Sequence, residues 1–304
     1  MAQKPVRNIA ASVRDRLLRI ARESGRDFDA VLLQYFQERF LYRLAQSPYR
    51  RHLILKGALL FLAYDMSLLR PTRDIDFLGT STSNDLEEIR GLIAAIARLE
   101  FADGVVFFPE TIQTERITED ADYAGIRVKI EARLTAARKV LQLDIGFGDV
   151  VVAGPVAMDF PVLLEDQASP NLLVYSRESA IAEKFEALVS LSLLTSRMKD
   201  IYDILHLAER EAFSQETLRE AVQATFARRS TPLNDRRVVF SDRFTADQDK
   251  SVQWEVFLRR SRLTSDLTLP AAMARLEAFI EPVCSERPDA AEWNPAAWRW
   301  EGRP

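Results

Sequence analysis

Apolar residues recur at helical spacing along the first part of the chain. Ile9, Val13, Leu17 and Ile20 fall on one stripe, and Ser24-Gly25 follows them. That spacing predicts a helix over 8–23, stopped by Gly25. Phe28, Val31, Leu32, Tyr35, Phe36, Phe40 and Leu44 repeat the pattern over 28–46, and Ser47-Pro48 closes it. Leu53-Ile54-Leu55 then runs through Lys56-Gly57-Ala58, which reads as a buried strand entering a tight turn, with a helix from Leu59 to Met66. Asn84, with Glu87 three positions on, predicts a capping box before a helix over 85–100.

From residue 104 the period changes to two. Val105–Phe108, Ile126–Leu134 and Val140–Ile145 are strand-like, with a further short strand near Val156–Phe160. Ile126, Val128, Ile130 and Ala132 alternate with Arg127, Lys129, Glu131 and Arg133, so one face of that strand is buried and the other charged. After Pro170 the helical period returns. Ile181, Phe185 and Leu188 mark one helix face, and helices follow over 198–208, 215–227, 249–262 and 271–280, the last with Pro270 in its first turn. The polar stretch 229–248 reads as loop. The tail 285–304 carries Trp293, Trp298 and Trp300 and is ordered only where it docks. The resulting plan is a helical arm at 1–50, an α/β domain at 51–168 and a helical domain at 169–304. Strands and helices do not alternate as βαβαβ, so the fold class is α+β rather than doubly wound.

Composition narrows the setting. The chain has 304 residues, 47% of them apolar, and a net charge of −4, so it can bury a sizeable core and is no general binder of nucleic acid. A polyanion would have to meet a local basic patch. A single cysteine, Cys284, excludes an internal disulfide framework and fits a cytoplasmic location. The longest apolar run, Ala58–Tyr64, is far too short for a bilayer, so no membrane partner is expected. Two histidines leave little from which to build a zinc site or a Ser-His-Asp triad.

The chemistry is concentrated around Asp74-Ile75-Asp76. On a strand both carboxylates share one face while Ile75 buries on the other, and paired hard oxygen ligands suit Mg²⁺. A solvated strand edge would read the same, so further residues must decide. Asp144 stands alone among Leu141, Leu143 and Ile145, on the face that carries Gln142. It is either a turn cap or a third metal ligand completing a two-ion site. The turn Lys56-Gly57-Ala58 could seat phosphates on its amides. Lys184 flanks a buried helix face, where it either snorkels or meets a phosphate. Arg197, Asp200 and Asp203 share a helix face, as a surface ion-pair helix would.

In order along the chain these motifs are Lys56-Gly57-Ala58, Arg70-x-Thr72-Arg73-Asp74-Ile-Asp76, Leu143-Asp144-Ile-Gly-Phe-Gly148-Asp149, Glu183-Lys184-Phe-Glu, and Arg197-x-Lys199-Asp200-Ile-Tyr-Asp203. Together, over about residues 50–210, they resemble the AbiEii-type nucleotidyltransferase toxins of type IV toxin–antitoxin and abortive-infection systems, within the DNA polymerase β-like superfamily. The resemblance implies a polymerase β-like mixed sheet with helices, plus a C-terminal helical domain that completes the active site. It implies a toxin that transfers a nucleotide from a nucleoside triphosphate to RNA, with the tRNA 3′ end as acceptor, and a cognate antitoxin encoded nearby. It assigns metal binding, with two Mg²⁺ expected, to Asp74, Asp76 and Asp144, and catalysis to Asp74, Asp76, Lys184 and Asp200. Nucleotide contacts fall to Lys56, Gly57, Ala58, Thr72, Arg73 and Lys184. One departure stands out: the superfamily turn usually reads Gly-Gly or Gly-Ser, and Gly57-Ala58 lacks the hydroxyl. Two other readings fit these residues: transfer to a protein or small molecule, and a non-catalytic module that binds nucleotide or antitoxin.

Overall fold

The computed structural model describes residues 8–64, 72–119, 123–263, 265–285 and 290–302. The chain divides into a sheet unit, running to Gly148 with Val156–Val174 added, and a helical unit of Asp149–Pro155 with Tyr175 onward.

The sheet unit opens with α1 (Ile9–Ser24) and α2 (Phe28–Gln46). Asn8 and Asp27 cap them through Ala11 N and Ala30 N, and Gly25 ends α1 at a φ of 66°. Then follow β1 (Leu53–Lys56), a 3₁₀ turn (Gly57–Leu59), α3 (Leu60–Ala63), β2 (Asp74–Gly79) and α4 (Leu86–Ala97). β3 (Val105–Glu119), β4 (Tyr123–Leu134), β5 (Ala137–Phe147), β6 (Val156–Asp159) and β7 (Asn171–Val174) complete the unit. Among the described residues the strands form one seven-stranded sheet in the order β3-β4-β5-β2-β1-β7-β6. β2–β5 and β1–β7 are parallel pairs and the other pairs are antiparallel. This is the mixed sheet of an α+β protein.

Three local expectations are corrected. The helix predicted to reach Met66 begins as a 3₁₀ turn and its α-helical part closes at Ala63; residues 65 and 66, like Arg70 and Pro71 of the motif, lie outside the described residues. The cap of α4 is Asp85, not Asn84: its carboxylate accepts from the backbone N–H of both Glu87 and Glu88 at 2.9 Å. The region after Pro170 starts with a strand, because Leu172 and Val174 are buried beside β1 and Leu55 pairs with Val174.

Helix α2 carries unusual buried charge. Arg43 is 1% exposed, yet its guanidinium meets the Asp103 carboxylate and the carbonyls of Leu99, Arg39 and Val105. A buried cation so fully satisfied ties α2 to the α4–β3 connection. Glu38 is less well compensated. It is 1% exposed, accepts from Leu163 N at 2.7 Å and faces Arg39 at 2.6 Å. Burial pushes its carboxyl up from 4.5 to about 7, even though Arg39 and the Leu163 N–H pull the other way. An acid whose pKa is higher when folded holds its proton better in the native state, so stability falls as pH rises from about 4.5 to about 7. The loss should be about 3 kcal/mol. Chemical denaturation across that window should show this slope, and Glu38→Gln should flatten it. An unchanged slope in the variant would remove Glu38 as its source.

The helical unit contains α5 (Arg177–Leu191), α6 (Met198–Arg210), α7 (Gln215–Arg228), α8 (Arg236–Val239), α9 (Asp242–Thr245), α10 (Gln248–Ser261) and α11 (Leu269–Ile280), and ends in the hairpin β8 (Ala291–Asn294) and β9 (Arg299–Gly302). The stretch 229–248 is thus partly helical rather than loop, because Val239 and Phe244 are fully buried and anchor its two short helices. The tryptophan tail docks. Trp293 Nε1 donates to the Ala208 carbonyl at 2.7 Å and Trp300 Nε1 to that of Phe279 at 2.9 Å, with Trp293 and Trp300 paired across the hairpin. Among the described residues no helix is long and apolar enough to cross a membrane.

Candidate active site

Strand β2 sets the site. Ile75 and Phe77 are fully buried on one face, which leaves Asp74 and Asp76 half-buried on the other. Sheet register then gathers charge beside them. Asp76 lies opposite Lys56 of β1 on one side and Asp144 of β5 on the other, and Asp144 lies opposite Arg127 of β4. One row across four strands therefore reads Lys56, Asp76, Asp144, Arg127. Directly opposed side chains in a sheet have Cβ atoms about 5 Å apart. Ligand oxygens of Asp74, Asp76 and Asp144 all fall within 4.8 Å of one another.

Each acid has its own support. The Thr72 hydroxyl donates to Asp74 Oδ1 at 2.9 Å, so this expected nucleotide contact also positions a carboxylate. Asp144 is 5% exposed and receives Arg127 Nε at 2.9 Å, Arg127 Nη2 at 2.8 Å and Gln142 Nε2 at 3.2 Å. Its place is on the sheet face beside Asp76, not at the following turn. The sequence places Arg127 only on the charged face of its strand. The sequence signal for its partner was the shared two-residue period of β4 and β5, which needed the register to become a contact.

Gly57 backs Asp76. It adopts a φ of 70°, and a Cβ there would lie 1.9 Å from Asp76 Oδ2. A glycine is required both by the left-handed backbone and by the carboxylate packed against it. The turn expected to seat phosphates thus packs, in the first instance, against the acid. Ala58 is 8% exposed and offers the site its backbone only, while Lys56 is 6% exposed and Arg73 is exposed. Gly57→Ala should displace the Asp76 carboxylate. Transfer activity should fall by about a hundredfold or more, as misplacement of a reacting group by an ångström can cost that much. Side-by-side activity and melting curves for the variant check this. Full activity at an unchanged melting temperature would contradict the packing.

In the helical unit, Lys184 of α5 meets two acids of α6. Its Nζ lies 3.1 Å from Asp200 Oδ1 and 2.6 Å from Asp203 Oδ2, and Asp200 also accepts from Arg197 Nε. Asp200 is fully buried and Asp203 is 3% exposed, so this is no surface ion-pair helix. Burial alone would raise the Asp200 carboxyl, but Lys184, Arg197 and Lys199 outweigh it and hold it at about 2. Nearby, Arg229 binds Asp149, Glu183 and Glu186, while Tyr175 donates to Glu183. His206 stacks on Tyr202, and burial lowers its pKa to about 4. Burial pushes the Cys284 thiol up to about 12, which makes it a poor nucleophile.

Three carboxylates converging from adjacent strands form a hard oxygen donor set of the kind that holds Mg²⁺ in phosphoryl and nucleotidyl transfer. The family model for the nucleotidyl transferase AbiEii toxin of type IV toxin–antitoxin systems matches residues 39–281, and the chain belongs to that family. It is accordingly a nucleotidyltransferase of the toxin class, and its family implies a cognate antitoxin. No curated protein matches the chain. Two solved Helicobacter pylori structures resemble it: a candidate nucleotidyltransferase at 16% identity and JHP933 at 14%, each with a TM-score of 0.40. They cover 83% and 85% of this chain and 99% of their own. Similarity at that level leaves the assignment to the family match.

Proposed function

We propose that the protein transfers a nucleotidyl group from a nucleoside triphosphate to a 3′-hydroxyl of RNA, with tRNA as the first candidate acceptor, and that this transfer arrests growth. The observation that carries the reading is the Asp74, Asp76 and Asp144 cluster beside a glycine turn. Asp74, Asp76 and Asp144 would hold Mg²⁺, which when bound supplies charge neutralisation on the triphosphate and a lowered pKa for the attacking hydroxyl. The Gly57 and Ala58 amides and Lys56 serve the phosphates on the β1 side of β2. Thr72 and Arg127 hold Asp74 and Asp144 in place. In the reaction the RNA 3′ oxygen bonds to the α-phosphorus, the bond from that phosphorus to the bridging oxygen breaks, and pyrophosphate leaves. Lys184 and Asp200 enter the proposal through their sequence motifs, with the lysine helping to hold the Asp200 carboxyl ionised.

Incubation with total tRNA, Mg²⁺ and each α-labelled nucleoside triphosphate tests the acceptor. Label should appear in RNA. Label confined to protein, or none anywhere, would overturn the RNA reading in favour of protein modification or a binding module respectively.

A further inference from the structure

We infer that a cavity of about 540 Å³ beside the start of β2 seats the phosphodiester backbone of the acceptor strand, an inference that rests on the RNA reading above. Its lining includes four cations, Arg26, Arg73, Lys129 and Lys139, against two carboxylates, Asp27 and Asp29. The volume lies within the range of pockets that enclose nucleotide-sized ligands. One of the two acids is already committed, since Asp27 caps α2 through Ala30 N at 3.2 Å. The other, Asp29, meets Lys139 Nζ at 2.6 Å, and Lys129 meets Glu115 at 3.1 Å. Both pairs reach solvent, the acids being 67% and 54% exposed. Exposed pairs of this kind are weak, and a phosphate can replace the carboxylate at little cost.

Position selects the ligand. Asp74 lies opposite Gln142, and Gln142 opposite Lys129. The cavity floor is therefore a continuation of the row that begins at a candidate metal ligand. Two strand spacings, about 10 Å, separate Asp74 from Lys129, so a backbone phosphate at Lys129 would lie within a couple of nucleotides of the acids. The Gly57 turn lies on the other flank of β2, through β1. A triphosphate on the turn side and an acceptor strand on the cavity side would approach the three acids from opposite flanks, as transfer between them requires. Lys139 comes from the helix-covered face of β5, and Gln142 from the acid-bearing face. The cavity thus wraps the end of the sheet and can follow a backbone that turns there.

The test is transfer to RNA by the full chain and by a Lys129→Ala/Lys139→Ala double variant. The KM for RNA should rise tenfold or more in the variant, while the KM for nucleoside triphosphate and direct Mn²⁺ binding stay within about twofold. Single-stranded contacts each contribute about −0.7 to the slope of log affinity against log salt, so the slope should become shallower by about 1.4. A Lys129→Arg/Lys139→Arg variant should restore both values and control for folding. An unchanged RNA KM and salt slope would overturn the cavity assignment while leaving the transfer reaction standing. A rise in the triphosphate KM instead would also overturn it, by placing the wrong ligand in the cavity. Where the parent protein transfers nothing to RNA, binding of a short single-stranded oligoribonucleotide by fluorescence anisotropy decides. No binding would overturn the inference, and binding lost in the double variant would support it.

Discussion

Asp76→Asn should lower nucleotidyl transfer by about a thousandfold or more and at the same time leave the metal-free protein as stable as the parent, or more so. Asp76 lies in register between Lys56 and Asp144, and its carboxylate packs on the Gly57 turn. Asparagine keeps that shape and removes the charge. The three acids lie with ligand oxygens within 4.8 Å of one another, and although Arg127 offsets the charge of Asp144, like charges so close repel, so deleting one should not cost the metal-free fold stability. The same deletion removes a third of the negative charge that would hold a divalent cation. The loss of preorganised electrostatic stabilisation is worth about 10²–10³ for a single donor in other enzymes, and a metal ligand should cost at least as much. Transfer assays, Mn²⁺ binding and thermal melting on one preparation check the three parts together. Loss of activity with a falling melting temperature would make Asp76 structural instead.

Lys184→Ala should destabilise the protein by about 3–5 kcal/mol, whatever it does to catalysis. The lysine is shared by Asp200 and Asp203, both buried, and removing one member of a buried ion-pair cluster upsets the charge balance that its burial requires. Arg197 remains beside Asp200. A Lys184→Met/Asp203→Asn pair should recover a large part of the loss. The linkage to pH has a definite sign. Asp200 sits at about 2 when folded and near 3.8 unfolded, so its contribution is complete above about 4 and is lost as pH falls through about 2. Denaturation at neutral pH measures the loss. A Lys184→Ala protein as stable as the parent would mean that the buried pair carries no net energy, and that the lysine is held there for another purpose.

How much of this was legible beforehand depends on the range over which each signal acts. Asp74 and Asp76 could be placed on one face from Ile75 alone, because a strand alternates by rule and Ile75 must bury. The parity of Asp144 was equally local. Its neighbours across the sheet were not, since β2 pairs in parallel with a strand more than sixty residues later and only that register sets Asp144 beside Asp76. Arg127 was visible as one of a row of charges, but nothing in β4 itself says which acid it will meet. Gly57 marks a tight turn in the sequence, while the group packed against it comes from another strand. β7 was missed because four residues between a proline and a helix cap are too few to show a period. The hairpin at β8 and β9 was missed for a related reason: its order comes from indole hydrogen bonds to α6 and α11. Lys184 could be placed at the edge of a buried face, but the depth of Asp200 and Asp203 depends on how α5 meets α6, which helical spacing alone does not specify.

Whether the three sheet-borne acids support transfer of a nucleotidyl group and not of a terminal phosphate is decided by the position of the label. The protein is incubated with RNA, Mg²⁺ and nucleoside triphosphate labelled at either the α- or the γ-phosphorus. α-Label should appear in the RNA, γ-label only in released pyrophosphate, and both signals should be lost on chelation of the metal. Label from the γ-phosphorus on any acceptor, or transfer that persists without a divalent cation, would contradict it.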